Sequence, residues 1–234
     1  MKERGSGNVP SGGVPAVMLQ AEPEPLELDL KRTAVLVIDM QNAFASPGGM
    51  FSFGGRDISH IRAIIPNINQ INDAARAAGV KVVYAVHRIT ADQREVGPLT
   101  RFRVSGPRSR PEAREGTIIE GTWGTEIIDE LKPKPDEMTI IKRRFSAFAG
   151  TELDMVLRTF DIRYLIFVGV ATNICVESSL RDASHLQYLP VIVSDSVAAS
   201  PASRQESTLA NVRDVFGWVA TTADVLRALK TGGG

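Results

Sequence analysis

Cysteine is nearly absent: Cys175 is the only one in 234 residues. No intrachain disulfide can form, and a reducing, cytoplasmic setting is expected. Neither sign of charge is in excess, since 27 basic and 27 acidic side chains give a formal net charge of zero. Nothing in that balance predicts nucleic acid or an anionic membrane as a partner. No apolar run approaches the length needed to span a bilayer. The N-terminus lacks the basic-then-apolar pattern of an export signal. Histidine is scarce, and His60, His87 and His185 are too scattered to show a metal-ligand spacing.

What is present is an ordinary globular composition, 43% hydrophobic and 23% charged. Residues 1–30 are rich in Gly, Pro, Ser and Glu and have no period, so a flexible N-terminal arm is expected there. From 31 to 230 one domain is expected, in which apolar runs alternate with helical periods. The runs are 33–39, 80–86, 138–141, 165–168, 190–195 and 215–219. The helical stretches between them are 58–78, 125–131, 151–160, 173–187, 201–212 and 223–229. Asp57 suits an N-cap and Gly79 a helix stop, while Pro66 should kink or split the first long helix. Between His87 and Gly121 lies a long polar excursion carrying Arg88, Arg94, Arg101, Arg103, Arg108, Arg110 and Arg114. Loops of that length are usually functional or partly disordered. Strand alternating with helix predicts an α/β fold: three α-β-α layers around a six-stranded, mainly parallel sheet.

The segment Leu165–Ser178 organises this pattern. A continuous apolar run suits a strand buried on both faces. It breaks at Gly169 and passes Thr172 and Asn173, both N-cap types, into a helical period. Cys175 is thereby placed in the first helical turn, where unpaired N–H groups and the helix dipole favour a thiolate and lower its pKa. The bland alternative is a small buried hydrophobe. Two further strands end in a useful group: Asp39 after the first and Lys142 after the third. In open parallel sheets, sites form beyond the carboxyl ends of the strands, so the three converge. Such a trio suits acyl transfer. The thiolate attacks a carbonyl, Asp39 moves the proton, Lys142 steadies both charges, and N–H groups near Cys175 face the developing oxyanion.

The motifs Val37-Ile38-Asp39-Met40-Gln41-Asn42, Lys142 before Phe145-Ser146-Ala147-Phe148, and Gly169 through Ser178 resemble the isochorismatase-like cysteine hydrolases. The resemblance runs from about Thr33 to Leu229. It is nearest to the branch that hydrolyses ureidoacrylate, through Asp39–Phe44 with Pro47-Gly48-Gly49, Gly121-Thr122-Trp123, Asn173–Ser178 and Phe216–Val219. The resemblance implies a catalytic triad of Asp39, Lys142 and Cys175. It implies a cis peptide at Val170–Ala171 that aims the Ala171 N–H, beside that of Cys175, at the oxyanion. It also implies a dimer or tetramer. The metal site of the nicotinamidase branch needs a second histidine near His87, which this chain lacks, so no metal and no cofactor are expected.

The expected function is cleavage of the terminal C–N bond of a small ureido or N-carbamoyl compound, with release of ammonia. Asn42, Phe44, Trp123, Phe145, Phe148 and Asn173 are candidate substrate-binding residues, since aromatic walls with a few polar groups suit a small molecule. Biuret- or triuret-type amides or a simple carboxamide are the alternative substrates. A redox-sensing relative with Cys175 as its sensor is the alternative of another class, although it would need neither Asp39 nor Lys142.

Overall fold

Val17–Leu19 (β1) and Leu26–Leu28 (β2) alternate buried, exposed, buried, and they pair as an antiparallel hairpin. The hairpin packs on the last helix, Thr222–Thr231. The expectation of a flexible arm through residue 30 therefore fails from Val17 onward: two short apolar pairs suffice once a helix covers them. The computed structural model describes residues 16–99, 115–199 and 201–231. The rest of the expected arm, and Arg101, Arg103, Arg108, Arg110 and Arg114, lie outside the described residues.

Thr33–Ile38 (β3) is buried at every position. Lys81–His87 (β4), Met138–Lys142 (β5), Tyr164–Val170 (β6), Leu189–Ala198 (β7) and Trp218–Ala220 (β8) complete the sheet. The order is β5-β4-β3-β6-β7-β8, with every pairing parallel. Side chains of a strand alternate between faces. Val35 and Val37 thus join one core cluster with Ile65, Ile68, Ile71, Val225 and Leu229 of the helices Ile65–Ala77 and Thr222–Thr231. Ala34, Leu36 and Ile38 join the other, with Leu153, Leu157, Leu180, Ala183 and Leu209 of the helices Leu153–Thr159, Glu177–His185 and Gln205–Asn211. The sheet lies between two helical layers, as the alternating pattern predicted.

Local departures have local causes. Pro66 does divide the first helical period, into Ser59–Ala63 and Ile65–Ala77, and it sits in the first turn of the second helix, where its missing N–H costs little. The expected helix 125–131 is instead two 3-10 turns, Trp123–Thr125 and Asp129–Leu131. The expected strand 215–219 starts only at Trp218, because Val212–Phe216 continues the preceding helix as a wide π turn. The polar excursion after β4 is closed at its neck: the Ile89 N–H donates to Ile118 O, and the Glu120 N–H to Ile89 O, both at 2.8 Å.

The sheet begins at β3, grows outward to β4 and β5, and then returns to β6 on the other side of β3. That reversal opens a crevice beyond the carboxyl ends of β3 and β6.

Candidate active site

Asp39 follows β3 in the left-handed region, with φ of +50°. Its N–H donates to Ala85 O at 2.9 Å, extending the ladder with β4 while the chain turns away. Gln41 fixes that turn. Its side-chain amide donates to His87 O and Thr125 O, both at 3.0 Å, and accepts from the His87 N–H at 2.7 Å. On the other side, Gly169 has φ of +110°, and a Cβ there would meet Ile38 O at 2.1 Å. Only glycine lets the end of β6 lie this close to the residue preceding Asp39.

Lys142 ends β5, in register with His87 of β4. Its ammonium lies 2.9 Å from Asp39 Oδ2, with side chains 0% and 1% exposed. It also donates to Arg144 O at 3.2 Å. Buried ions survive only when paired, and these two pair with each other.

The Val170–Ala171 peptide is cis, as the resemblance implied. The chain then enters a π turn, Thr172–Val176, that carries Cys175 and runs into the helix Glu177–His185. The expected N-cap by Thr172 or Asn173 is not made. The Thr172 hydroxyl donates to the Gln205 side chain at 3.1 Å, and no side chain caps the turn. The Ser179 hydroxyl donates to Cys175 O at 2.6 Å and accepts from the Ala147 N–H at 2.8 Å, tying the Cys175 turn to the loop after β5.

Asp39, Lys142 and Cys175 therefore meet, as the sequence predicted. Their protonation does not follow the expected course. Burial, and then the Asp39 charge, push the Cys175 thiol well above its ordinary value, while Lys142 works against them. The expected lowering at a helix start is outweighed by desolvation. Burial also raises Asp39 above the usual carboxylate range, with Lys142 opposing. Burial alone would lower Lys142, but Asp39 and Cys175 outweigh it and hold the ammonium charged. At rest the proton sits on sulfur, beside a carboxylate made more basic than usual.

Sequence reasoning missed His87. It is buried at the end of β4, and one ring nitrogen, a carboxylate oxygen of Asp39 and Cys175 Sγ all lie within 4.8 Å of one another. Burial, reinforced by the cations Lys142, Arg143 and Arg144, lowers its pKa to about 3, so the imidazole is neutral at physiological pH. The available signal was its place on the edge that bears Asp39 and Lys142. Three such donors could in principle grip a metal ion, but the Lys142 ammonium already compensates the Asp39 charge.

The substrate-binding candidates divide. Trp123 and Phe145 are 40% and 52% exposed, and the Phe145 ring stands edge-on to His87, with centroids 6.3 Å apart. Asn173 lies within the Cys175 turn, half-buried, and its Oδ1 has no hydrogen-bond partner among the described residues. Asn42 spends its amide on Trp123 O, at 3.2 Å, and on the Ser46 hydroxyl, at 2.8 Å. Phe44 packs edge-on against Phe51 at 5.0 Å, and Phe148 tilts against Tyr188 at 5.8 Å in the cluster that also holds Cys175. Phe44 and Phe148 are thus engaged as core residues, while Trp123 and Phe145 offer aromatic surface.

A parallel sheet with this order, carrying a buried Asp, Lys and Cys at its switch point, defines a class, and a family model confirms it. The chain belongs to the isochorismatase family, whose domain matches residues 33–224. Among curated relatives, the ureidoacrylate amidohydrolase RutB of Agrobacterium fabrum is 45% identical over 213 residues, covering 88% of this chain and 93% of the relative. The RutB of Caulobacter segnis is 42% identical over 215 residues, covering 89% and 90%. Among solved structures, a cysteine hydrolase from Pseudomonas syringae pv. phaseolicola superposes with a TM-score of 0.79 at 29% identity, covering 93% of this chain and 98% of that one.

Proposed function

We propose that this chain is a cysteine amidohydrolase that removes ammonia from the terminal amide of a small ureido compound of the ureidoacrylate type. The observation that carries the reading is the fully buried Asp39–Lys142 pair beside the Cys175 thiol. The names of the relatives supply the substrate class. Asp39 takes the thiol proton, and the sulfur forms a bond to the ureido carbonyl carbon. The N–H groups of Ala171 and Cys175 receive the oxyanion. Asp39 returns the proton to the departing nitrogen, which leaves as ammonia, and an S-carbamoyl enzyme remains. Water, deprotonated by Asp39, then attacks the same carbon, and the sulfur leaves with the proton. The released carbamate loses carbon dioxide to give an amine. Lys142 stays charged throughout and stabilises whichever neighbour bears the negative charge. No cofactor or metal enters this scheme.

Trp123, Phe145 and Asn173 form the substrate wall in this reading. Asn42, Phe44 and Phe148 support it from behind. The setting is a reducing cytosol, which keeps a lone thiol free, and the assembly is a dimer or tetramer of this chain, as the resemblance implies. Ammonia release is measured from ureidoacrylate, N-carbamoyl amino acids, biuret, triuret, nicotinamide and aliphatic amides, with Cys175→Ala alongside. Turnover of a ureido compound that is lost in the variant supports the reading. Turnover that survives Cys175→Ala overturns the mechanism.

A further inference from the structure

The imidazole of His87 is a buried polar group that the steps above do not use. Its backbone is fully engaged with Gln41. Its ring makes an edge contact with half-exposed Phe145. Among the described residues its ring nitrogens form no hydrogen bond. Yet one of them lies within 4.8 Å of both the base and the nucleophile. A ring nitrogen that the surrounding fold leaves uncommitted, this close to the thiol, can serve a ligand.

The protein's own groups narrow what that something is. Lys142 and the peptide N–H groups are donors, and Asp39 is occupied by Lys142 and the thiol proton. A neutral imidazole has one acceptor nitrogen. It is thus an acceptor, not committed to the proton transfer, within 4.8 Å of both the thiol and the carboxylate. The reacting carbonyl carbon must approach to about 3–3.5 Å from sulfur. An amide C–N bond adds about 1.3 Å, so the nitrogen bonded to that carbon enters the shell around sulfur in which the His87 nitrogen lies. A ureido group has two such nitrogens. One leaves as ammonia, and the other is retained with its N–H still needing an acceptor. A simple carboxamide has a methylene at that point and nothing to donate.

We propose that His87 is a specificity-determining residue that accepts a hydrogen bond from the retained ureido N–H and so selects ureido compounds over carboxamides of the same shape. This deepens the proposed function and rests on it. Phe145 stands edge-on to the imidazole and is itself half exposed. Its neutrality follows from burial and from the cations of the loop after β5. An imidazolium there would have no lone pair to offer.

The test compares 3-ureidopropionate with glutaramate, which differ only by N–H in place of CH2 beside the reacting carbonyl. The wild type is expected to favour 3-ureidopropionate in kcat/KM by about ten- to a hundredfold, the range of one buried hydrogen bond. His87→Leu should collapse that ratio toward one, whatever happens to the absolute rates. His87→Asn, which keeps a side-chain acceptor, should restore part of it. A second readout needs no substitution of His87. In Cys175→Ala protein with nitrogen-15 labelled histidine, 3-ureidopropionate should shift the ring resonance of His87 and glutaramate should not. An unchanged ratio in His87→Leu overturns the inference, and so does equal use of the two compounds by the wild type. Both leave the amidohydrolase reading standing. If the wild type hydrolyses neither compound and Cys175→Ala binds neither, the proposed function falls together with the role of His87.

Discussion

Two ion pairs stand at opposite ends of β3. At its start, Arg32 meets Asp161 at 2.9 Å, and at its end Lys142 meets Asp39 at the same 2.9 Å. The first pair is 30% and 65% exposed, the second 0% and 1%. Equal distances conceal unequal physics. Water solvates the first pair whether or not it forms, so it contributes at most about 1 kcal/mol. The second pair has left water altogether, and each ion depends on the other. The exposed pair can be lost at little cost, whereas in the buried one the loss of either ion strands the other. A contact of given length means little until its surroundings are specified.

The sharpest way to break this comparison is to remove one ion from each end. Lys142→Met strands Asp39 in the interior and should lower stability by about 3–5 kcal/mol at neutral pH, read by urea unfolding. The loss should shrink in acid, because a protonated Asp39 needs no cation. Adding Asp39→Asn should recover most of the stability and none of the ammonia release. A full-sized stability loss in the double variant would show that packing, not charge, dominates this corner.

An effect that appears only in acid comes from His87. Its folded pKa of about 3 lies below its unfolded value near 6.5. Between those limits the unfolded chain binds the proton that the folded one refuses. Stability present above pH 6.5 should therefore fall as pH drops toward 3, by up to about 1.4 kcal/mol per pH unit. His87→Asn should flatten that slope in chemical unfolding measured from pH 7 to 4. A slope unchanged by the substitution would assign the acid sensitivity elsewhere.

The smallest effect belongs to the exposed pair. Asp161 has φ of +52°, which Asn tolerates, so Asp161→Asn removes charge without forcing the backbone. It should change stability by less than about 1 kcal/mol and leave ammonia release as it was. A loss above 2 kcal/mol would put the two ends of β3 on the same footing.

Much of this was legible in the sequence, for physical reasons. A strand buried on both faces must be a nearly unbroken apolar run, and β3, β4 and β6 are. The residues just past such runs share a sheet edge, so Asp39, Lys142 and Cys175 could be grouped without coordinates. What periodicity could not carry was burial. The direction of the Cys175 shift depends on how much water reaches the thiol, and a helix start read from sequence gives the dipole but not the solvation. His87 was missed for a related reason: one histidine at a strand end looks like core until its neighbours across the sheet are known. The hairpin Val17–Leu28 escaped because two three-residue strands are too short for a period to show. The π turn Val212–Phe216 escaped because it repeats the apolar spacing of a strand start.

The neck of the excursion after β4 has an engineering consequence. Backbone hydrogen bonds between Ile89 and its partners Ile118 and Glu120 fasten the two ends of this segment independently of what lies between them. The Gln41 bracket anchors the reacting corner separately, through Thr125 and His87. The socket that bears the segment is therefore fixed at both ends. Grafts that keep Ile89, Ile118 and Glu120 would leave that socket and the Gln41 bracket in place, and retained ammonia release is the first property to measure in them.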